Sequence, residues 1–509
     1  MSEIFLYEKT IKKNVKKSMW FYAPMSESFA LSSLGYLWLY KLIDELPYID
    51  IERVYTDSKT TRIYKQNVDI IAFSMSFDFD FLSVFDFFKK NNYEIKAKDR
   101  NETSPLFFAG GPVITSNPTL YNEIFDFMII GDGEETNISA INLICNSEYN
   151  SKNEVLEALS KIDGVYVPKF SKKIIKSTYK TNNCVYTPII SDKSFFQNTF
   201  VIEVERGCAN RCAFCLASYI NLPIRFPSLE NIITDIELGL KYTNKIALLG
   251  AQVTAHPKFV DLCKYLENKI DNGIDLEVSV SSLRVDSFTD EIVSFLVKAK
   301  QRNLTLAIEA GTDRLRKVIN KNLNEQQIFK AINVARNCGL KGLKFYAMLG
   351  LPTETDEDIK GFVELAKKIR LLNKGFDISF GFSSFVPKPN TPFQWCGRED
   401  NKSIEVKINY LKKEFHKLGI EASFPSVKWD YYQALLSRGN SSLTDYLIKV
   451  YELGGKIGAF KKAAKDLNID TNKLVLTNYD FDDKLPWDLV EISPGKKFLI
   501  NEINKLLNI

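Results

Sequence analysis

At 509 residues the chain has room for about three domains of ~150 residues each, and with 45% apolar and 26% charged residues it has the composition of an ordinary soluble globular protein. A formal charge of +4 with no dense Lys/Arg block gives no clear electrostatic footprint for nucleic acid. The opening MSEIFLYEKTIKKNVKK lacks the basic-then-apolar order of a secretory signal, and no apolar run approaches the ~20 residues that span a bilayer. A cytoplasmic protein that is not transmembrane is the expectation.

Residues 1–170 alternate strand and helix patterns. Strands are expected at 19–23, 51–55, 69–74, 106–109 and 127–130, with helical patterns at 27–46 and 79–91 between them. This rhythm predicts an open, doubly wound sheet that takes ligands at its strand C-termini. Those ends carry Ser74-Met75-Ser76, Gly110-Gly111-Pro112 and Gly131-Asp132-Gly133-Glu134. Glycine there permits close backbone approach to a ligand, or simply closes each turn. In the aromatic run 73–88, Phe81, Phe85 and Phe88 recur at helical spacing and read as packing residues. Phe77 and Phe79 follow the strand and are read as walls of an apolar cavity.

The second region opens with the apolar strand 199–204, then Glu205-Arg206-Gly207, then Cys208-Ala-Asn-Arg-Cys212-Ala-Phe-Cys215. Iron–sulfur clusters usually take four thiolates, so three in one loop leave one iron open for another ligand. Zinc would want four ligands, and the chain holds only His256 and His416 besides its cysteines and carboxylates. Cys145, Cys184, Cys263, Cys338 and Cys396 are scattered, as small buried side chains of a reduced protein are.

Five further strands are expected at 245–249, 274–280, 304–309, 342–348 and 377–385. Amphipathic helices at 228–241, 257–271, 288–300, 324–338 and 355–373 alternate with them, which predicts a parallel barrel with its site on the loops after the strand C-termini. Those loops hold Gly250-Ala251-Gln252, Ser281-Ser282 with Arg284 and Asp286, Glu309, and Leu349-Gly350. Arg284 suits a carboxylate or a salt bridge to Asp286, and Glu309 suits hydroxyls or a pairing with Lys344. Gln394 or Trp395 is read as facing substrate. Residues 400–509 lose the β–α rhythm and read as Lys-rich helices at 402–418, 429–437, 441–452, 455–467 and 495–507.

The cysteine motif and its strand context resemble the radical S-adenosylmethionine (SAM) superfamily. Phe107-Phe-Ala-Gly-Gly-Pro112, Ile130-Gly-Asp-Gly-Glu-Glu135 and Ile308-Glu-Ala-Gly-Thr312 are similar to the branch with an N-terminal cobalamin-binding-like domain. The resemblance implies three domains: a cobalamin-binding-like sheet at 1–170, a partial (β/α)6 barrel at 195–398 and a helical cap at 400–509. It implies a [4Fe-4S] cluster on Cys208, Cys212 and Cys215, and SAM near Phe214, Gly250, Gln252, Ser282, Arg284, Glu309 and Leu349. Gln252 stands where that branch has an acid. Cobalamin would rest on Ser74, Ser76, Gly110, Gly111, Gly131 and Gly133, although residues 1–255 hold no histidine for its axial position. The implied reaction abstracts hydrogen from an unactivated C–H bond, followed by cobalamin-dependent methyl transfer or by coupling or rearrangement without cobalamin. A methylthiotransferase and a non-enzymatic cluster scaffold are the other readings. Implied partners are a small-molecule, lipid or peptide substrate and a low-potential reductant such as flavodoxin or ferredoxin.

Overall fold

In the computed structural model, residues 3–58, 68–180, 183–280, 283–372 and 375–507 are described. The first sheet contains β1 (Lys17–Ala23), β2 (Ile49–Tyr55), β3 (Ile70–Ser74), β4 (Leu106–Gly110), β5 (Phe127–Ile129) and β6 (Val165–Tyr166). Their spatial order is β2-β1-β3-β4-β5-β6, with the first five parallel and β6 antiparallel at the edge. Runs such as Met19 to Ala23 and Ile70 to Phe73 are buried throughout, as a parallel sheet covered on both faces requires. The sixth strand was not expected, because two residues are too few to show a period.

The two faces of this sheet have different covers. Phe21, Ile51 and Phe108 pack against helices Leu34–Asp44 and Glu134–Asn146. On the opposite face Phe73 and Phe107 meet the helix Asp80–Lys90 through Phe81, Phe85 and Phe88, as the spacing predicts. Beyond that helix lie Tyr431, Leu435, Tyr446 and Phe460 of the C-terminal region. Phe79 therefore does not wall a cavity: its ring packs edge-on to Trp429 at 5.0 Å and to Phe460 at 6.1 Å. Phe77 stands 66% exposed.

The second region is a parallel barrel of β7 (Thr199–Glu203), β8 (Lys245–Leu249), β9 (Glu277–Val280), β10 (Asn303–Glu309), β11 (Gly342–Leu349) and β12 (Asp377–Ser384). It forms two ladders joined by a bridge between Leu283 and Leu306. A seventh short strand, β13 (Glu421–Ser423), pairs parallel to β12. Along β11, Leu343, Phe345, Ala347 and Leu349 are buried while Lys344 and Tyr346 are exposed. The buried side meets the outer helices through Ile232, Leu262, Ile292, Ile332 and Phe362. Close packing there needs Gly311, since a Cβ on it would lie 2.2 Å from the Asp358 carbonyl oxygen.

The C-terminal residues divide into three parts. Helix Asn401–Lys417 adds Ile404, Leu411 and Phe415 to the barrel core, so the β–α rhythm continues past residue 400. Helices between Val427 and Leu476 enclose the first sheet. The last part packs at the barrel mouth, where Trp487, Leu499 and Ile503 meet Tyr219, Phe393 and Trp395.

Candidate functional site

The cysteine loop follows β7 directly. Cys208 and Cys212 are buried and Cys215 is half-buried. The loop is held in shape by its neighbours. Asn320 Nδ2 donates to the Arg211 carbonyl at 2.9 Å, Ala213 N–H donates to the Ile319 carbonyl at 3.0 Å, and Tyr219 Oη–H donates to the Arg211 carbonyl at 2.9 Å. Asn210 Nδ2 lies 3.3 Å from Cys208 Sγ and also donates to Gln252 Oε1. Phe214 packs with the apolar group around Tyr219, Leu315 and Trp395. Burial pushes the Cys212 thiol up to about 12, against the pull of Lys321. Binding iron there must displace the proton.

These thiols fit a cluster better than a single ion. Among the described residues no three His, Cys, Asp or Glu side chains converge on one metal position. His256 is not a zinc ligand: its Nε2 faces the Pro227 carbonyl at 2.8 Å and its Nδ1 accepts the Lys258 N–H at 3.1 Å. In a cubane each of the three cysteines would take a different iron.

After β8, Gly250 and Gln252 surround a residue the sequence reading passed over. Glu205 is 1% exposed, and its Oε2 accepts the Gln252 N–H at 2.7 Å. A Cβ on Gly250 would lie 2.6 Å from the same oxygen. Among the described residues Glu205 Oε1 has no hydrogen-bond partner. Burial pushes this carboxyl up to about 7, opposed by the Gln252 and Ala251 N–H groups. Glu205 thus brings an acid to the turn where Gln252 lacks one. The folded state holds an extra proton between its ordinary 4.5 and about 7. Stability should therefore fall as pH rises through that window, by on the order of 2–3 kcal/mol. In Glu205→Gln that slope should flatten in melting curves recorded from pH 4.5 to 8; an unchanged slope would remove Glu205 as its source.

The other loops contribute a charged chain. Ser282 lies outside the described residues. Arg284 forms a fork on Asp286, with Nε–Oδ1 and Nη2–Oδ2 both at 2.9 Å, and its Nη2 donates to the Lys321 carbonyl at 3.2 Å. Glu309 sits at φ 63°, where the β10 register shifts, and pairs with buried Lys321 at 3.2 Å. The expected pairing with Lys344 is thus replaced; Lys344 lies over the Tyr346 ring, 5.3 Å from its centroid. Leu349 is buried, and the Gly350 N–H after it donates to Glu354 Oε2 at 2.8 Å. Gln394 and Trp395 are each 2% exposed. Gln394 Oε1 accepts the Trp487 indole N–H at 2.5 Å and the Asn390 N–H at 2.9 Å.

The family model described as the radical SAM superfamily matches residues 202–366, and a model of radical SAM proteins' N-terminal regions matches 35–168. A relative from Methanocaldococcus jannaschii, the uncharacterized protein MJ0966, is 32% identical over 404 residues, 78% of this chain and 84% of that one. The chain belongs to the radical SAM superfamily. Membership implies a [4Fe-4S] cluster and SAM. Another relative of this radical SAM protein, the uncharacterized methyltransferase PH0819 of Pyrococcus horikoshii, is 25% identical over 58% of the chain and 63% of its own length. The threonylcarbamoyladenosine tRNA methylthiotransferase MtaB of Aquifex aeolicus is 22% identical over 50% of the chain and 62% of its own length. Among solved structures, the cobalamin-dependent SAM radical enzyme OxsB with aqua-cobalamin bound is similar at a TM-score of 0.52 and 13% identity, covering 90% of this chain and 71% of OxsB. That likeness extends across the first sheet, the barrel and the C-terminal region.

The strand-end residues expected to cradle cobalamin are turned toward the chain itself. Gly111 has φ +117°, and a Cβ there would lie 2.3 Å from the Met75 carbonyl oxygen. A Cβ on Gly131 would lie 2.3 Å from the Ser177 carbonyl, and one on Gly133 2.6 Å from Asn137 Nδ2. Gly110 faces Ile129 and accepts the Met75 N–H at 2.8 Å. The Ser76 N–H donates to Asp80, and Ser74 ends β3 beside Gly110. On one side these residues meet the chain's own backbone, and each of the six keeps part of its surface exposed.

Proposed function

We propose that this protein abstracts hydrogen from an unactivated C–H bond of its substrate. The observation that carries the reading is the buried three-cysteine loop, placed with Glu205, Arg284, Glu309 and Lys321 at the C-terminal ends of the barrel strands. Cys208, Cys212 and Cys215 would hold the [4Fe-4S] cluster, which would supply the electron for reductive cleavage of SAM. The chain's own residues hold and orient. Glu205 Oε1 accepts the SAM ammonium in place of the acid missing at Gln252, and the Arg284–Lys321 side of the mouth faces its carboxylate. Glu309 accepts ribose hydroxyls, Phe214 lies beside the adenine, and Gly350 and Leu351 offer it main-chain atoms. Trp487 and Leu499 pack with Tyr219 and Trp395 beside the cysteine loop and narrow the approach of water there.

A methylthiotransferase reading draws on the relatives of that name. Cys145 and Cys184 are the thiols before the motif, and they are buried in different cores, one in the first domain and one in the barrel, which favours C–H chemistry over a second cluster. Methyl transfer through cobalamin draws on OxsB and PH0819; the strand-end geometry favours coupling or rearrangement without it. The substrate is a small molecule, lipid or peptide, and the reductant a flavodoxin or ferredoxin. Among the described residues no helix is long and apolar enough to cross a membrane, and a cytoplasmic setting would keep the cluster reduced.

The test is chemical. Anaerobically reconstituted protein, reduced with dithionite in the presence of SAM, should form 5′-deoxyadenosine and no S-adenosylhomocysteine. S-adenosylhomocysteine as the main product would support methyl transfer instead. An intact cluster that yields neither, with substrate extracts supplied, would favour the scaffold reading.

A further inference from the structure

The ends of β3, β4 and β5 are where a doubly wound sheet receives its ligand. Here each end is bonded to another part of the chain. After β3, buried Asp78 accepts from Lys388 Nζ at 2.7 Å, Gln433 Nε2 at 2.8 Å and Ser437 Oγ at 3.0 Å. After β4, the Ser116 carbonyl accepts from Asn390 Nδ2 at 2.9 Å, and Asn117 Nδ2 donates to the Gly439 carbonyl at 2.7 Å. After β5, Ser177 Oγ–H donates to the Asp132 carbonyl at 2.6 Å and lies 3.0 Å from the Ile130 carbonyl. Direct hydrogen bonds thus join the sheet edge to the barrel and the C-terminal helices at the loops beside which a macrocycle would sit.

The carboxylates after β5 have another partner. Arg206, two residues before Cys208, pairs through Nη1 with Glu134 at 2.7 Å and with Asp132 at 3.3 Å, and through Nη2 with Glu203 at 2.7 Å. Arg225 Nη1 also pairs with Asp132 and donates to the Tyr179 carbonyl at 2.9 Å. The two arginines are joined by their backbones, Arg206 N–H to the Arg225 carbonyl at 3.0 Å and the reverse at 2.8 Å. They close the base of the loop that carries all three cysteines, and both guanidinium groups reach into carboxylates of the first domain. Such buried, shared pairs are costly to break from one side only.

We infer that the N-terminal domain holds no corrinoid at its strand ends and instead clamps the cysteine loop through Asp132 and Glu134. The clamp half rests on the cluster reading above; the corrinoid half does not. The chain, with cluster reconstituted, is incubated with hydroxocobalamin and separately with methylcobalamin, then gel-filtered. Cobalt in the protein peak should stay far below one per chain. One cobalt per chain would overturn the corrinoid half, whether or not SAM is cleaved. For the clamp, Asp132→Asn keeps an acceptor but removes the charge. It should elute as the wild type does yet lose cluster iron to a chelator about 10-fold faster, the scale of disturbing groups that orient metal ligands. Asn390→Gly cuts a different tie between the same domain and the barrel and suits the φ of +61° at that residue. It should leave iron release unchanged. Unchanged release in Asp132→Asn, or equal acceleration in Asn390→Gly, would overturn the clamp.

Discussion

Cys212→Ala leaves a folded chain that holds no intact cluster and forms no 5′-deoxyadenosine. Cys212 is 6% exposed in the loop after β7, and its loss removes one small buried side chain from a fold supported by several separate cores. Stability should change by about 1 kcal/mol. The cluster has no such reserve. With one iron already open to SAM, removing Cys212 leaves two irons without a protein ligand. Among the described residues no nearby set of His, Cys, Asp or Glu offers a substitute metal position. Iron and sulfide per chain should fall at least ~10-fold, and deoxyadenosine below detection. Retained iron with retained cleavage would show that the loop is not the cluster site.

Asp78→Ala should cost about 3–5 kcal/mol, the scale for stripping one partner from a buried pair. Asp78 joins the end of β3 to Lys388 of the barrel and to Gln433 and Ser437 of the C-terminal helices, so its removal strands a cation that is itself largely buried. Chemical denaturation should show the first sheet and its covering helices unfolding earlier, and loss of under 1 kcal/mol would contradict this anchoring role. The same carboxylate sets an acid limit. Burial alone would raise it, but Lys388, Gln433 and Ser437 hold it below its ordinary 3.8. Its contribution is therefore present above that pH and lost as pH falls below it.

Most of the architecture was legible in the sequence because apolar runs and helical periods mark elements directly, and the cysteine spacing marked the loop that matters. What remained hidden depends on contacts between distant residues. Glu205 is just another acid beside Arg206 until β8 brings Gly250 and Gln252 against it. A hint was available: the acid missing at Gln252 and a spare one just before the cysteine motif. Lys321 and Lys344 are equally plausible partners for Glu309 by sequence, and only the turn after β10 chooses between them. Gly111 and Gly131 cannot be resolved by sequence for a physical reason, because a glycine that admits a ligand and one that admits the chain's own carbonyl look identical in one dimension. The C-terminal helices gave their positions but not their destinations, since an amphipathic face does not name what it covers.

The proposed chemistry needs an iron that no cysteine holds. Electron paramagnetic resonance of the dithionite-reduced, reconstituted protein, recorded before and after adding SAM labelled with ¹⁵N on its amino group, tests this most directly. SAM should shift the cluster spectrum, and the labelled nitrogen should couple to it. A normal reduced [4Fe-4S] signal that ignores saturating SAM would contradict the central claim, since it would mean that the fourth iron is closed.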